Sequence, residues 1–259
     1  MTEQEETLIR DLGKLSPERT LTDTQLEQLR IFKENLIEWN KVMNLTAITE
    51  PDQIYGKHFL DSMTMVRIEQ EAGIPKTPDK KKPFRIIDVG TGAGFPGLVL
   101  AILYPDLSVT LMDSLNKRIN FLEDTAKKAK IMNVTCIHAR AEELARNKEY
   151  REQYDLAVSR AVANLSTLSE YCLPFVKVGG SFVAYKSEKI EEELPAGEKA
   201  LKILGGKIAK KDDFTITEGG EEVRRSLVLI RKEKQTPKAY PRKAGTPAKE
   251  PLGTSLRYC

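Results

Sequence analysis

Apolar positions in the first seventy residues recur at helical spacing. Leu26, Leu29, Phe32, Leu36 and Trp39 follow one another at intervals of three and four, which puts them on one helix face, and Thr22 with Gln25 fits a capping box at its start. A second helix is predicted from Pro51-Asp52, turning Ile54, Phe59, Met63 and Val66 toward the same partner. From Pro75 to Pro83 the prolines frame charged residues with nothing apolar to bury, which predicts a linker.

Beyond the linker the pattern changes to short apolar runs alternating with helical periods, over 84–89, 98–103, 108–112, 117–129, 134–137, 141–148, 156–159, 165–175 and 181–185. Strand-helix repetition of this kind predicts a mostly parallel sheet covered on both faces. Residues 207–217 and 223–231 flank Glu218-Gly219-Gly220-Glu221, a hairpin signal. The expected fold class is α/β: a Rossmann-like, seven-stranded, mostly parallel sheet closed by a C-terminal antiparallel hairpin. The expected divisions are an N-terminal helical region over 1–73, a linker over 74–83, a sheet domain over 84–232 and a basic tail over 233–259.

Composition narrows the class. Of 259 residues 40% are apolar, enough for a substantial core. No apolar run reaches the length of a membrane span, and the N-terminus is acidic where a signal peptide is basic, so a cytoplasmic protein with no membrane partner is expected. Cys136, Cys172 and Cys259 are widely spaced and form no Cys-x-x-Cys pair, which points to reduced structural thiols and no metal. Net charge is only +3, but from Arg224 onward ten bases face two acids, leaving the rest of the chain acidic. A basic end of this kind suits phosphate; the alternative is a solvated tail.

The candidate chemistry gathers behind the first strand, in Phe84-Arg85-Ile86-Ile87-Asp88-Val89-Gly90-Thr91-Gly92-Ala93-Gly94-Phe95-Pro96-Gly97. Gly92, Gly94 and Gly97 fit a dinucleotide fingerprint, a weak signal alone. Asp88 inside the strand tilts the reading toward a sulfonium cofactor, since a carboxylate there can hold the loop's backbone donors or face a cation. Asp-Val-Gly-Thr-Gly-Ala-Gly resembles the first motif of S-adenosylmethionine methyltransferases.

In an open parallel sheet ligands bind at the carboxyl ends of the strands. The second strand ends at Asp113, which is suited to ribose hydroxyls, or to capping the next helix. The third leads to Ala141 and Glu142, placed for an adenine edge or simply for a helix N-terminus. After the fourth comes Arg160, a guanidinium that needs an anionic partner: the cofactor carboxylate, an RNA phosphate, or a salt bridge to Asp88 or Glu142. His58 and Asp61 are either a surface or capping pair or a substrate-side wall.

Together with Asn44-Leu45-Thr46, His58-Phe59-Leu60-Asp61-Ser62, Asp113-Ser114-Leu115-Asn116-Lys117-Arg118, Ser159-Arg160-Ala161 and Tyr240-Pro241-Arg242-Lys243-Ala244-Gly245-Thr246-Pro247, the glycine motif makes the chain resemble one family. That family is the bacterial 16S ribosomal RNA guanine-N7 methyltransferases, also called glucose-inhibited division protein B. The likeness runs from about Leu26 to Leu252. It implies methyl transfer from S-adenosylmethionine to N7 of a guanine in the decoding-region (530) loop of 16S rRNA, guanine 527 in standard numbering, with the small ribosomal subunit or its RNA as partner. It also implies that Gly90, Phe95, Asp113, Ser114, Leu115, Ala141, Glu142 and Arg160 touch the cofactor, with Gly92 and Gly94 in the same loop. Asn44 and His58 are candidates for the RNA side.

Guanine N7 carries a lone pair and no proton, so no general base is required, and the site should act by positioning and electrostatics. The product ring gains positive charge. Arg118, Lys186, Arg224, Arg242 and Lys243 are therefore expected on phosphates rather than at the ring. Phe95, Tyr185 and Tyr240 are the aromatic candidates for stacking, with core packing the expectation for Tyr185. The target should be unpaired, because N7 lies in the deep groove of an RNA helix. A monomer is expected. The rival readings are a methyltransferase acting on a small molecule or protein, a dinucleotide oxidoreductase, and an idle RNA-binding protein that retains the pocket.

Overall fold

Two capping boxes open the chain. Thr2 caps α1 (Glu3–Leu15) by accepting from the Glu5 N–H, and Thr22 caps α2 (Asp23–Met43) by accepting from the Gln25 N–H. The computed structural model describes residues 1–48, 50–79, 81–218 and 221–254. The helix expected from Pro51 is broken into α3 (Pro51–Ile54), a π-helical turn (Tyr55–Leu60), α4 (Asp61–Met63), a 3-10 turn (Thr64–Arg67) and α5 (Glu69–Ala72). Ser62 and Thr64 hydroxyls bond back to the carbonyls of His58 and Asp61, both at 2.6 Å, and so compete with the helix's own amides. His58 and Asp61 both lie in this irregular stretch.

Seven strands follow: β1 (Arg85–Val89), β2 (Ser108–Asp113), β3 (Val134–His138), β4 (Tyr154–Arg160), β5 (Val176–Ser187), β6 (Gly206–Glu218) and β7 (Glu221–Lys232). They lie in the order β3-β2-β1-β4-β5-β7-β6, with β1 to β5 parallel and β7 antiparallel to both its neighbours. This is the expected parallel sheet with its antiparallel hairpin; the hairpin's Gly219 and Gly220 lie outside the described residues, as do Lys80 of the linker and Arg257 and Cys259 of the basic end. The connecting helices are α6 (Gly97–Leu103), α7 (Asn116–Lys128), α8 (Ala141–Leu144), α9 (Leu165–Cys172) and α10 (Ile190–Leu204), with α11 (Thr246–Lys249) near the end. The helix expected over 141–148 stops at Leu144, and Pro174 turns the end of 165–175 into a 3-10 turn.

Strand side chains alternate between two cores, as the pleat requires. Ile86, Leu111, Leu156, Val158 and Leu229 face Leu12, Phe32, Leu98 and Phe121, so the N-terminal helices share a core with α6, α7 and one face of the sheet. Ile87, Met112, Ala157, Phe182 and Ile230 face α9 and α10 through Leu168, Leu201 and Leu204. Polar bonds fix the docking of α2: Gln25 Nε2 donates to the Ile102 carbonyl at 2.8 Å, and Asn35 Nδ2 to Thr125 Oγ1 at 2.7 Å.

Residues 233–254 form a strap over the α8–α9 side. The Arg151 guanidinium donates to the carbonyls of Tyr240 at 2.9 Å and Thr236 at 2.8 Å, and Thr167 Oγ1 donates to the Pro247 carbonyl at 3.0 Å. Arg242 clasps Glu170, whose side chain is fully buried, with Nη2 to Oε2 at 2.7 Å.

Candidate functional site

At the carboxyl end of β1 the glycine loop is tied down by its neighbours. Gly90 and Thr91 both donate their N–H to the Met112 carbonyl at 3.0 Å, and Gly92 donates to Asp113 Oδ2 at 3.0 Å. Asp88 accepts the Gly97 N–H on Oδ2 at 2.7 Å and so fastens the start of α6 to β1. Gly97 is obligatory there, since a Cβ would stand 2.4 Å from Leu111 and 2.6 Å from Asp88. Burial pushes the Asp88 carboxyl up to about 6, partly offset by the neighbouring Thr91 hydroxyl and then by the Gly97 N–H. Asp88 Oδ1 and Thr91 Oγ1 are buried without a hydrogen-bond partner.

A cavity of about 650 Å³ opens above this loop. The structure brings Gly90, Gly92, Phe95, Asp113, Ser114, Ala141, Glu142 and Arg160 together on its wall, with Thr91, Arg118 and His58. Two expected members are absent from the wall. Gly94 is a packing glycine, its Cβ direction closed by Leu122 and Phe32, and Leu115 is 42% exposed while its N–H holds Asp113 Oδ1 at 2.9 Å. The Asp113 carboxylate therefore ties the glycine loop to the start of α7, where Arg118 Nη1 also reaches it at 3.2 and 3.4 Å. Glu142 accepts the Gly245 N–H on Oε1 at 2.9 Å, and the strap thereby becomes part of the same wall.

Arg160 finds its anion across 99 residues. Its Nη1 meets Asp61 Oδ2 at 2.5 Å, and Arg225 Nε takes the other oxygen at 2.9 Å. Neither Asp88 nor Glu142 is the partner. Arg160 Nη2 stands 3.3 Å from His58 Nδ1, whose Nε2 stands 2.9 Å from Thr46 Oγ1, and the imidazole stacks on Phe95 at 4.3 Å between centroids. Burial, then the Arg160 charge, pushes His58 down to about 4, so the ring is neutral near pH 7. His58 and Asp61 are thus neither a surface pair nor a cap.

Beyond this network lies a second cavity of about 560 Å³, which shares His58 and 160–162 with the first. Asp61, Tyr185, Lys186, Glu193, Phe214 and Arg225 are on its wall. The antiparallel pairing of Ser187 with Arg225 is what delivers Arg225 to this end of the sheet, and no local sequence signal announces it. No sequence signal marks Glu193, because Pro195 and Gly197 interrupt the helical pattern of α10. A Cβ on Gly197 would stand 2.6 Å from Leu165, so close helix packing requires that glycine.

The expected phosphate contacts divide. Lys186 is turned inward, with Nζ donating to the Ala163 carbonyl at 2.7 Å and Glu193 Oε2 at 2.6 Å. Arg242 is turned to Glu170, with Nε at 3.0 Å from Oε1 and Nη2 at 2.7 Å from Oε2. Arg118 leans on Asp113, while Arg224, Lys243 and Asn44 are exposed. Asn44 ends α2 in the left-handed conformation at φ 44°. Tyr185 is buried with its hydroxyl on the Ser62 carbonyl at 2.9 Å, as core packing requires. Burial pushes the Cys136 thiol up to about 12, which leaves it inert. No helix among the described residues is long and apolar enough to cross a membrane.

A family model described as rRNA small subunit methyltransferase G, GidB, matches residues 25–218. The ribosomal RNA small subunit methyltransferase G of Lachnoclostridium phytofermentans is 50% identical over 232 residues, spanning 90% of this chain and 91% of that one. Its counterpart from Bacillus cereus is 48% identical over 233 residues, 90% and 93% of the two chains. Among solved structures, a branched-chain polyamine synthase mutein from Thermus thermophilus superposes with a TM-score of 0.53 at 12% identity, over 79% of this chain and 64% of that one. At that identity the likeness is one of fold.

Proposed function

The chain belongs to the GidB family of small-subunit rRNA methyltransferases, and from that premise we propose that it moves the methyl of S-adenosylmethionine to N7 of guanine 527 in the 530 loop of 16S rRNA, in the cytoplasm. The observation that carries the reading is the pair of adjoining cavities: one walled by the glycine loop, the other by charged groups at the ends of β4, β5 and β7, with His58 and 160–162 common to both. A cofactor and a base placed on either side of that wall meet across it.

The residues present fit the cofactor. Nothing lies within 4 Å of the Gly92 Cβ direction, so a ligand can approach that backbone closely, and the buried Thr91 hydroxyl on the wall, beside Asp88, makes no hydrogen bond of good geometry. Asp113 would accept the ribose hydroxyls in place of Arg118, whose contacts are the longest it holds. Ala141 and Glu142 would meet the adenine edge, with Glu142 aimed by Gly245. When bound, the cofactor supplies a sulfonium methyl open to in-line attack.

This chain's own contribution is position and field. The neutral His58 packed on Phe95 adds no further positive charge to the shared wall, and Asp61 balances part of the charge that Arg160 and Arg225 bring there. No side chain has to remove a proton, because N7 has none to lose. The test is transfer of labelled methyl to small subunits from cells lacking this gene, with naked 16S RNA alongside, followed by nuclease mapping. Label at one guanine N7 is expected; cofactor binding with no label on either substrate overturns the assignment of RNA.

A further inference from the structure

Two carboxylates stand on the wall of the second cavity, and only one has an oxygen to offer. Asp61 has Oδ2 engaged by Arg160 and Oδ1 by Arg225. Glu193 takes both of its contacts on Oε2, from Lys186 Nζ and from the Leu165 N–H, each at 2.6 Å. Its Oε1 has no donor among the described residues, and the side chain keeps 24% of its surface exposed. Lys186 is only 8% exposed, and its second contact is the Ala163 carbonyl, so one of its three donors is left over. The pair is anchored to α9 at one end and to the loop after β4 at the other. It presents a free donor beside a free acceptor while adding no net charge.

We propose that this cavity receives the target guanine and that Lys186 and Glu193 read its Watson–Crick edge, the ammonium donating to O6 and Glu193 Oε1 accepting from N1–H and the N2 amine. The inference rests on the guanine-N7 reading above and adds the residues that select the base. N7 must face the wall shared with the first cavity. The N1 and N2 groups lie on the far side of the purine, and Lys186 and Glu193 belong to the second cavity alone. Adenine presents a donor at position 6 and an acceptor at N1, the reverse order, so it leaves both members of the pair unsatisfied. A carboxylate on the far edge also suits a ring that becomes positive on methylation.

Inosine keeps O6 and N1–H but lacks the N2 amine, which makes it the probe. Target RNA assembled with guanine or inosine at the methylated position is supplied to the wild-type protein and to Glu193→Gln, with cofactor binding by calorimetry as the check that the variant is folded. Wild type is expected to favour guanine in kcat/KM by about ten- to a hundredfold, the range for one hydrogen bond to a charged group. The Gln variant, whose amide N–H₂ opposes the guanine donors, is expected to bring the ratio near unity. Equal wild-type rates on the two bases overturn the proposal whether or not the variant folds. So does a variant slowed equally on both bases with its preference intact, which is the mark of a structural role for Glu193 at α9. Absence of any transfer to guanine N7 by wild type instead removes the functional reading on which the inference stands.

Discussion

Asp113 carries more of the first cavity than any other side chain, because its two oxygens collect the Gly92 and Leu115 amides and Arg118. Replacing Asp113 with Ala removes the charged acceptor proposed for the ribose and frees the Gly92 loop at once. Loss of charge-assisted bonds of about 1.5–3 kcal/mol predicts roughly 10- to 100-fold weaker S-adenosylmethionine binding in a calorimetric titration; unchanged affinity would take Asp113 out of the site. Two other buried groups contribute to the pH behaviour with opposite signs. His58 falls from 6.5 in the unfolded chain to about 4 in the fold, so between those values the unfolded state holds the extra proton and stability rises with pH. Asp88 climbs from 3.8 to about 6, so there the folded state holds the extra proton and stability falls with pH. The two offset each other over most of the same window. Asp88→Asn keeps an acceptor for Gly97 and removes only the falling part, so its urea midpoint should climb more steeply than that of wild type from pH 4 to 6. Parallel curves for the two proteins would mean that Asp88 does not titrate there.

The strap over 233–254 shows how an element changes the meaning of a residue. Arg242 sits in a basic run that suits phosphate, yet its guanidinium faces a fully buried Glu170, and three positions later Gly245 holds Glu142 on the cavity wall. Arg242→Ala leaves Glu170 as a buried carboxylate without its cation, an arrangement that costs about 3–5 kcal/mol where it has been measured. Urea unfolding should register a loss of that order, and cofactor binding should weaken as the strap loosens; a variant as stable as wild type would show that the pair is dispensable. The contrast with β1 to β5 explains what the sequence discloses. β1, β2 and β4 are buried on both faces and so read as near-continuous apolar runs, and the glycine loop and the positions after the strands, Asp113, Glu142 and Arg160, are legible with them. Contacts between distant positions are not. Arg160 meets Asp61 at a separation of 99 residues, Arg225 meets it at 164, and Arg242 meets Glu170 at 72, and nothing in the local pattern of any of the five selects its partner. Residues 190–204 were hidden for a different reason: Pro195 and Gly197 break the helical signal, although Gly197 is there to let Leu165 approach.

For the molecule as a whole, the question is how much of the basic end remains for RNA. Lys232 is buried against Leu173 and Thr236, where burial pulls it down to about 8, while Arg225, Arg231 and Arg242 are bound to Asp61, the Glu71 carbonyl and Glu170. Arg224, Lys234, Lys238, Lys243 and Lys249 are exposed and have no ion-pair partner among the described residues. Counterion release makes the difference measurable, since each phosphate contact on single-stranded RNA contributes about 0.7 to the slope of log affinity against log salt. Arg224→Ala and Lys243→Ala should each flatten that slope by about this amount and weaken binding at low salt. Arg242→Ala, assayed where it is still folded, should leave the slope where it was, because its charge already belongs to Glu170. A flattened slope for Arg242→Ala would mean that RNA draws the guanidinium out of the strap, and with Gly245 so near, binding of the two substrates would then be coupled through the same segment.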